Sequence, residues 1–490
     1  MRGGVAKIGL IGIAMALLLP GVYPQDSADP VILTRILSEA RTEAEKVKGE
    51  DSRILLLGNL AAAEAQLGNI SLAQSEAERL EPIVTAPPHY GNCNYIYEQI
   101  IRTQVRTGDS EAAYRTAQRI SGSKDEAFYV IAVELAKQGK FNEAIGAISQ
   151  TNRPGNVLRR AQVFRELAVA AANKGDTRQA AMLFDRAEDL SAQLRTEAGI
   201  QQATIQLPLE VAASRQACGD VAPAARMFSE YQIIIRGVGD DSKRQQYMYQ
   251  FAALAARGGD FDLARKVLSQ ITDPMRKAQA GAAIVREYLA DGIGDADAAF
   301  SIASKIPGLA DRVNSLASVA SAQARKGDEN AARRAIDICQ KLLKEASAEF
   351  KPWGTLAVAS AEYELGDMTR AAELCDEAIA LAKRLTIHPE RERLTLLSEI
   401  ATLRISFGDE EGALATARLA EGESLIGEVA EIESEKGHAD SALRWSEKLS
   451  DPEQKANALL GIVRGLSVKQ KNSQEPRNAS YPRCKMLSDP

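Results

Sequence analysis

Apolar residues recur along most of this chain in short bursts of helical spacing, and the same punctuation divides them. Residues 323–339 read QARKGDENAARRAIDIC and residues 171–187 read AANKGDTRQAAMLFDRA. In both, an apolar stretch runs up to Lys-Gly-Asp and resumes behind it, with an alanine five residues after the glycine. The unit is therefore two amphipathic helices joined by a tight turn.

The pattern occurs eleven times, at Gly68, Gly108, Gly139, Gly175, Gly219, Gly259, Gly294, Gly327, Gly366, Gly408 and Gly437. Asp follows in eight copies; the others have Asn69, Lys140 and His438. The alanine at +5, from Ala73 to Ala442, is present in all eleven. A second alanine lies seven residues before the glycine in nine copies, for example Ala61, Ala168, Ala320 and Ala430, each behind a large apolar residue. Each part has a physical reason. Glycine ends the first helix because it enters the left-handed cap conformation without steric cost. Asp caps the second helix and suits its positive end. The alanines mark where the two axes cross and let them approach closely.

Helix starts are marked too. Asp273-Pro274 and Asp451-Pro452 place an N-cap before a first-turn proline, and Asp51 and Asp311 sit in similar places. The copy at Gly294 has a first helix about one turn longer, so Ala283 takes the crossing position. Successive glycines lie 29 to 44 residues apart. A two-helix unit of that period cannot bury its own apolar face, so the copies stack: the fold class is an all-α solenoid of about eleven helix-turn-helix repeats.

These residues resemble the tetratricopeptide repeat (TPR), with its small residue in the first helix, Gly-Asp turn and alanine five residues on. Ala168, Gly175, Asp176 and Ala180 match that pattern, as do Ala320, Gly327, Asp328 and Ala332. A further family alanine twelve after the glycine is met by Ala187, Ala378 and Ala420 and replaced by Ile120, Ile271 and Ile306; the closing proline is mostly missing. The resemblance spans roughly residues 51–449 in a divergent form. It implies a right-handed superhelix whose concave face, lined by the first helices, binds peptides or proteins. The family's inner positions, at 13, 10, 6, 3 and 2 residues before the glycine, give Tyr95, Arg102, Arg106, Tyr129, Lys137, Arg165, Tyr249, Arg257 and Arg325. Tyrosine and arginine are hot-spot residues, and a mildly basic groove suits acidic peptides. A basic residue in a helix's last turn also favours the dipole unaided, so a solvated face is the competing explanation.

The ends differ from the array. Arg2 and Lys7 precede twelve apolar residues, Ile8 to Leu19, which Pro20 ends. That run is too short to span a bilayer and fits a secretory signal. The following GVYPQDSADP has no small-x-small pair, so an uncleaved anchor stays open. The expected divisions are 1–24, signal or anchor; 25–50, holding an amphipathic helix over 30–48; 51–449, the array; 450–468, a last first-type helix without a partner that caps an open stack; and 469–490, a disordered polar tail with a sequon at Asn478.

Composition excludes more than it proposes. Hydrophobic residues make up 45% and aromatics 5%, a helix-rich balance with little strand character. A net charge of −6 gives no basic footprint for a nucleic-acid backbone. His89, His388 and His438 are far apart, with no metal-ligand spacing; His438 takes the capping place of a turn. Of five cysteines, Cys218, Cys339 and Cys375 read as small apolar filler, and none forms a CxxC pair. No nucleophile elbow or phosphate loop occurs. Asp291, Asp295 and Asp297 lack the glycine and distal Glu of a calcium loop. Glu421, Glu423, Glu428, Glu431, Glu433 and Glu435 form an acidic stretch without Lys or Arg.

The expectation is an exported, non-catalytic scaffold, periplasmic or at the cell surface, with a protein or peptide partner and no cofactor, no metal and no nucleic acid. Membrane contact is expected only through the N-terminal segment. An enzyme on an α-solenoid frame and an RNA-binding hairpin repeat are the alternatives.

Overall fold

The computed structural model describes residues 30–84, 93–120, 124–150, 157–199, 201–290, 295–384, 390–419 and 424–474. The N-terminal apolar run, the sequon, His89, His388, Asp291, Gly294, Cys484, Glu421 and Glu423 lie outside them. Among the described residues every regular element is a helix. In chain order they are α1 (Pro30–Ala44), α2 (Glu50–Gln66), α3 (Ile70–Val84), α4 (Asn94–Arg106), α5 (Ser110–Arg119), α6 (Asp125–Gln138), α7 (Phe141–Ser149) and α8 (Val157–Asn173). There follow α9 (Thr177–Ala198), α10 (Gln202–Ala217), α11 (Val221–Arg236), α12 (Asp241–Arg257), α13 (Phe261–Gln270), α14 (Pro274–Leu289), α15 (Ala296–Ala303) and α16 (Leu309–Arg325). The last eight are α17 (Glu329–Glu345), α18 (Lys351–Glu364), α19 (Met368–Lys383), α20 (Glu390–Ser406), α21 (Glu410–Arg418), α22 (Ser424–Glu435), α23 (Ala439–Ser446) and α24 (Pro452–Gln474). The chain is a helical repeat protein.

The turn chemistry is as the sequence predicts. Gly68 and Gly327, like eight other turn glycines, take positive φ near 80–96°, where a side chain would strain the backbone. Asp109, Asp176, Asp260, Asp295, Asp328, Asp367 and Asp409 each accept from backbone amides in the first turn of the following helix. Asp220 does not, because its carboxylate is taken by Arg215. His438 stands at the N-cap of α23 but its side chain makes no cap bond. Asp51 and Asp311 fall inside the first turns of α2 and α16, whose N-caps are Gly49 and Gly308. The crossing alanines are buried in every copy, Ala283 included.

Each even-numbered helix packs against the next even-numbered one, while among the described residues the backbones of odd-numbered helices stay apart and are bridged by side chains such as Arg119 to Glu78 and Arg195 to Glu230. The even set therefore forms the inner layer and the odd set the outer one. Between layers, buried arginines act as joints. Arg215, 1% exposed, binds Asp220 of its own turn and Asp185 of the preceding outer helix α9. Arg404 repeats this with Asp409 and with Asp376 of α19. Both arginines lie four residues before the turn glycine, as do buried Glu64, Glu362 and Glu433. Cys339 and Cys375 are buried filler, and burial pushes their thiols up to about 12 and about 11. Cys218 is not simple filler: it packs half-buried against the core and is disulfide-bonded.

One expectation fails at the ends. The last helix does have a partner, and the stack is not open. Helix α24 packs on α22 as the next inner helix, on α1 as its hairpin mate, and on α2 as its next inner neighbour. Lys455 of α24 reaches Glu39 and Glu43 of α1 at 2.9 and 3.5 Å. The two termini thus supply the two halves of one hairpin, and the layers close on themselves. Helix α24 also runs on to Gln474, into the stretch expected to be tail. At the α22–α24 contact the backbones nearly touch: a Cβ on Gly461 would stand 2.0 Å from the Gly427 carbonyl oxygen, and one on Gly465 2.1 Å from that of Glu431.

Candidate binding face on the inner helices

Closure turns the exposed side of the even-numbered helices into an enclosed inner face. The inner-position residues named from the sequence lie on these helices, but they do not form one open basic groove. Arg102 and Arg106 of α4 and Lys137 of α6 converge on one carboxylate, Glu134, at 3.1, 3.1 and 2.9 Å. Burial would push that carboxyl up, but Lys137 and Arg106 outweigh it and hold it below the ordinary range. Arg165 is 3% exposed and bridges Glu166 and Glu210. Arg325 pairs with Glu364 of the next inner helix at 2.8 Å.

The tyrosines are engaged as well. Tyr95 lays its hydroxyl against Gly58 of α2, where a Cβ would stand 1.7 Å from it. Tyr129 carries the Arg159 guanidinium 5.1 Å from its ring centroid. Tyr249 is half-buried against the core, and Arg257 is part-buried at the end of α12. These residues mostly tie neighbouring inner helices together; the charges of Arg102, Arg106, Lys137, Arg165 and Arg325 are answered within the protein. The acidic stretch is likewise not a surface patch throughout. Glu433 is 1% exposed and accepts from the Trp445 indole at 2.8 Å.

An open part of the inner face lies further along the chain. Helices α16, α18 and α20 line a cleft of ≈ 780 Å³. It exists because α18 and α20 meet along only a short stretch. Phe350, Trp353 and Tyr363 supply its aromatic surface, and Glu364 and Glu399 its carboxylates. Four of its hydroxyls have their protons engaged within the protein and are left as acceptors. Ser318, Thr402 and Ser406 donate to helix carbonyls one turn back, and Tyr363 donates to the Ser406 carbonyl. Ser406 Oγ also accepts from the Lys436 ammonium. The hydroxyl proton itself points to the Thr402 carbonyl and not to the lysine. No group of three or more potential metal ligands occurs among the described residues.

Sequence reasoning missed this cleft although the signal was present. The offsets of 13, 10, 6, 3 and 2 before Gly366 give Trp353, Leu356, Ser360, Tyr363 and Glu364, all of which line it. Selecting basic residues and tyrosines from the first part of the array passed them over.

No protein-family model matches the chain, and no curated protein matches it either. Solved structures that match include Ton1535 from Thermococcus onnurineus NA1, 16% identical over 75% of this chain and 98% of that one, with a TM-score of 0.31. Another is a circular tandem repeat protein with novel repeat topology and enhanced subunit contact surfaces, 14% identical over 91% of this chain and 98% of that one, with a TM-score of 0.23.

Proposed function

We propose that this chain is a non-catalytic binding protein that receives a peptide segment of a partner on the inner face of a closed ring of TPR-like hairpins. Eleven hairpins are continuous in sequence and a twelfth is split between α24 and α1, with the right-handed hairpin packing of the tetratricopeptide family. The observation that carries this reading is the cleft on α16, α18 and α20, an unfilled and partly aromatic stretch of the inner face. Twelve inner helices, half of the 24, spaced about 9 Å apart put their axes on a circle roughly 35 Å across and leave an opening of about 20 Å, wide enough for an extended or helical segment. The basic N-terminal start and short apolar run support a location outside the cytoplasm, periplasmic or at the cell surface.

The test is affinity capture with the full chain beside a Trp353→Ala/Tyr363→Ala variant whose circular dichroism is unchanged. A partner lost with the variant supports inner-face binding. A partner kept by both moves the site to the outer helices and contradicts the reading.

A further inference from the structure

The cleft's polarity is opposite to the basic groove expected from sequence, and this bears on what it accepts. No lysine or arginine is among its lining residues. Two of the cations that reach its lining residues are Arg325, which pairs with Glu364, and Lys436, which donates to the neutral Ser406 hydroxyl. Glu399 is the lining carboxylate that no described cation meets. It lines the cleft, and partial desolvation there raises its pKa above the ordinary value. The groups beside it add acceptors: the Ser318, Thr402 and Ser406 hydroxyls have spent their protons on carbonyls, and so has Tyr363. The half-buried Trp353 and Phe350 line the same cleft. Asn314, Ser321 and Ser360 also line it and can donate, but an anion finds no cationic partner in the lining. A cation with an apolar stem finds a carboxylate, acceptor oxygens and an aromatic face together.

We propose that the cleft between α16, α18 and α20 binds a lysine or arginine side chain of a basic peptide segment, with its charged head on Glu399 and its stem along Trp353. This rests on the inner-face reading above and goes further by fixing the chemistry of the segment. The choice follows from charge complementarity: the lining offers a carboxylate and acceptors and no cation of its own, and Arg325 at its edge is held by Glu364.

The test uses the full-length protein and three labelled decapeptides with leucine spacers, carrying lysine and arginine, glutamate, or glutamine. Binding is read by anisotropy, and by quenching of Trp353, one of only two tryptophans, assigned with Trp353→Phe. The basic peptide is expected to bind and quench, at least tenfold more tightly than the other two, and Glu399→Gln is expected to weaken it tenfold or more. Equal binding of the glutamine or glutamate peptide in the cleft overturns the cationic ligand but leaves the inner-face reading standing. Binding of the basic peptide that is indifferent to Glu399→Gln and to Trp353 substitution also overturns it. No binding by any peptide overturns it and counts against the inner-face peptide reading as well.

Discussion

Lys455 and Glu39 meet at 2.9 Å although they sit on the last and the first described helix of the chain. Lys455 is only 18% exposed there, and Glu43, also on α1, takes it from the other side. Both carboxylates raise the ammonium's pKa above its usual value, the hydrogen bond to Glu39 most of all, against the opposing effect of burial. A contact of this kind fixes the register of a hairpin whose halves have no connecting turn. Lys455→Glu is expected to cost about 1 kcal/mol or more of unfolding free energy, and Glu39→Lys/Glu43→Lys added to it to restore most of the loss. Urea titrations of the two variants decide this; equal stability of all forms would deny the pair any part in closure.

The α22–α24 contact depends on glycine. Gly461→Ala pushes a methyl into the Gly427 carbonyl, which is backbone and cannot turn aside. A loss of about 2 kcal/mol or more is expected. Gly146→Ala is the control. That glycine is exposed in the interior of α7 with nothing near its missing Cβ, so the change should be neutral or stabilise by up to about 1 kcal/mol. Chemical denaturation gives both values, and similar costs at the two sites would contradict the close approach.

Arg215 should matter far more than its surface counterparts. Arg215→Ala leaves Asp185, Glu188 and Asp220 without the shared cation that joins α9 to α10, at an expected cost of about 3 kcal/mol. Lysine should not rescue it, since one ammonium cannot reproduce the forked contacts. Arg115→Ala removes an exposed pair with Glu111 and should change stability by less than about 0.5 kcal/mol. Thermal unfolding of the three variants side by side is the measurement.

How much of this was legible in the sequence can be said residue by residue. The Gly-Asp-Ala pattern of Gly327, Asp328 and Ala332 predicts turn, cap and crossing, because each is a local requirement of a hairpin, and the structure has all three. Closure was not legible. The residues that make it, Lys455 with Glu39 and Gly461 with Gly427, have no local signature, and α1 alone looks like a lead-in helix. The inner charges were read as free because sequence shows a residue's place in its own helix but not the carboxylate on the next one: Arg102 and Glu134 are 32 positions apart. Glu433 falls in an acidic run that looks like solvated surface, yet its place four residues before Gly437 is the one that turns inward in other copies.

Glu433 makes stability depend on pH. Burial, with Glu410 nearby and despite the Trp445 hydrogen bond, pushes its pKa up to about 7 from an ordinary 4.5. Between those values the unfolded chain has lost the proton and the folded one keeps it, so stability falls as pH rises. The drop is expected to reach about 3 kcal/mol. Glu433→Gln should flatten the profile relative to the parent over that window. Parallel profiles for the two proteins, followed by urea unfolding from pH 4.5 to 7.5, would refute this role.

Glu399 sets an opposite dependence on binding. The cleft needs it ionised to hold a cation, and its pKa is raised. Affinity for the basic decapeptide should therefore fade on acidification at a higher pH than an ordinary carboxylate would give, and Glu399→Gln should remove that dependence. Anisotropy titrations across the acidic range read it directly.

Closure of the ring by α1 and α24 is the premise of the inner face, and a zero-length carbodiimide cross-link tests it most directly. The reagent joins an amine to a carboxylate only when they are already in contact. In the monomer fraction of dilute protein, mass spectrometry is expected to find the peptide holding Lys455 joined to the one holding Glu39 and Glu43. If that link is missing while the local pair Lys137–Glu134, 2.9 Å apart, couples in the same sample, the chain is an open stack in solution and the enclosed inner face does not exist.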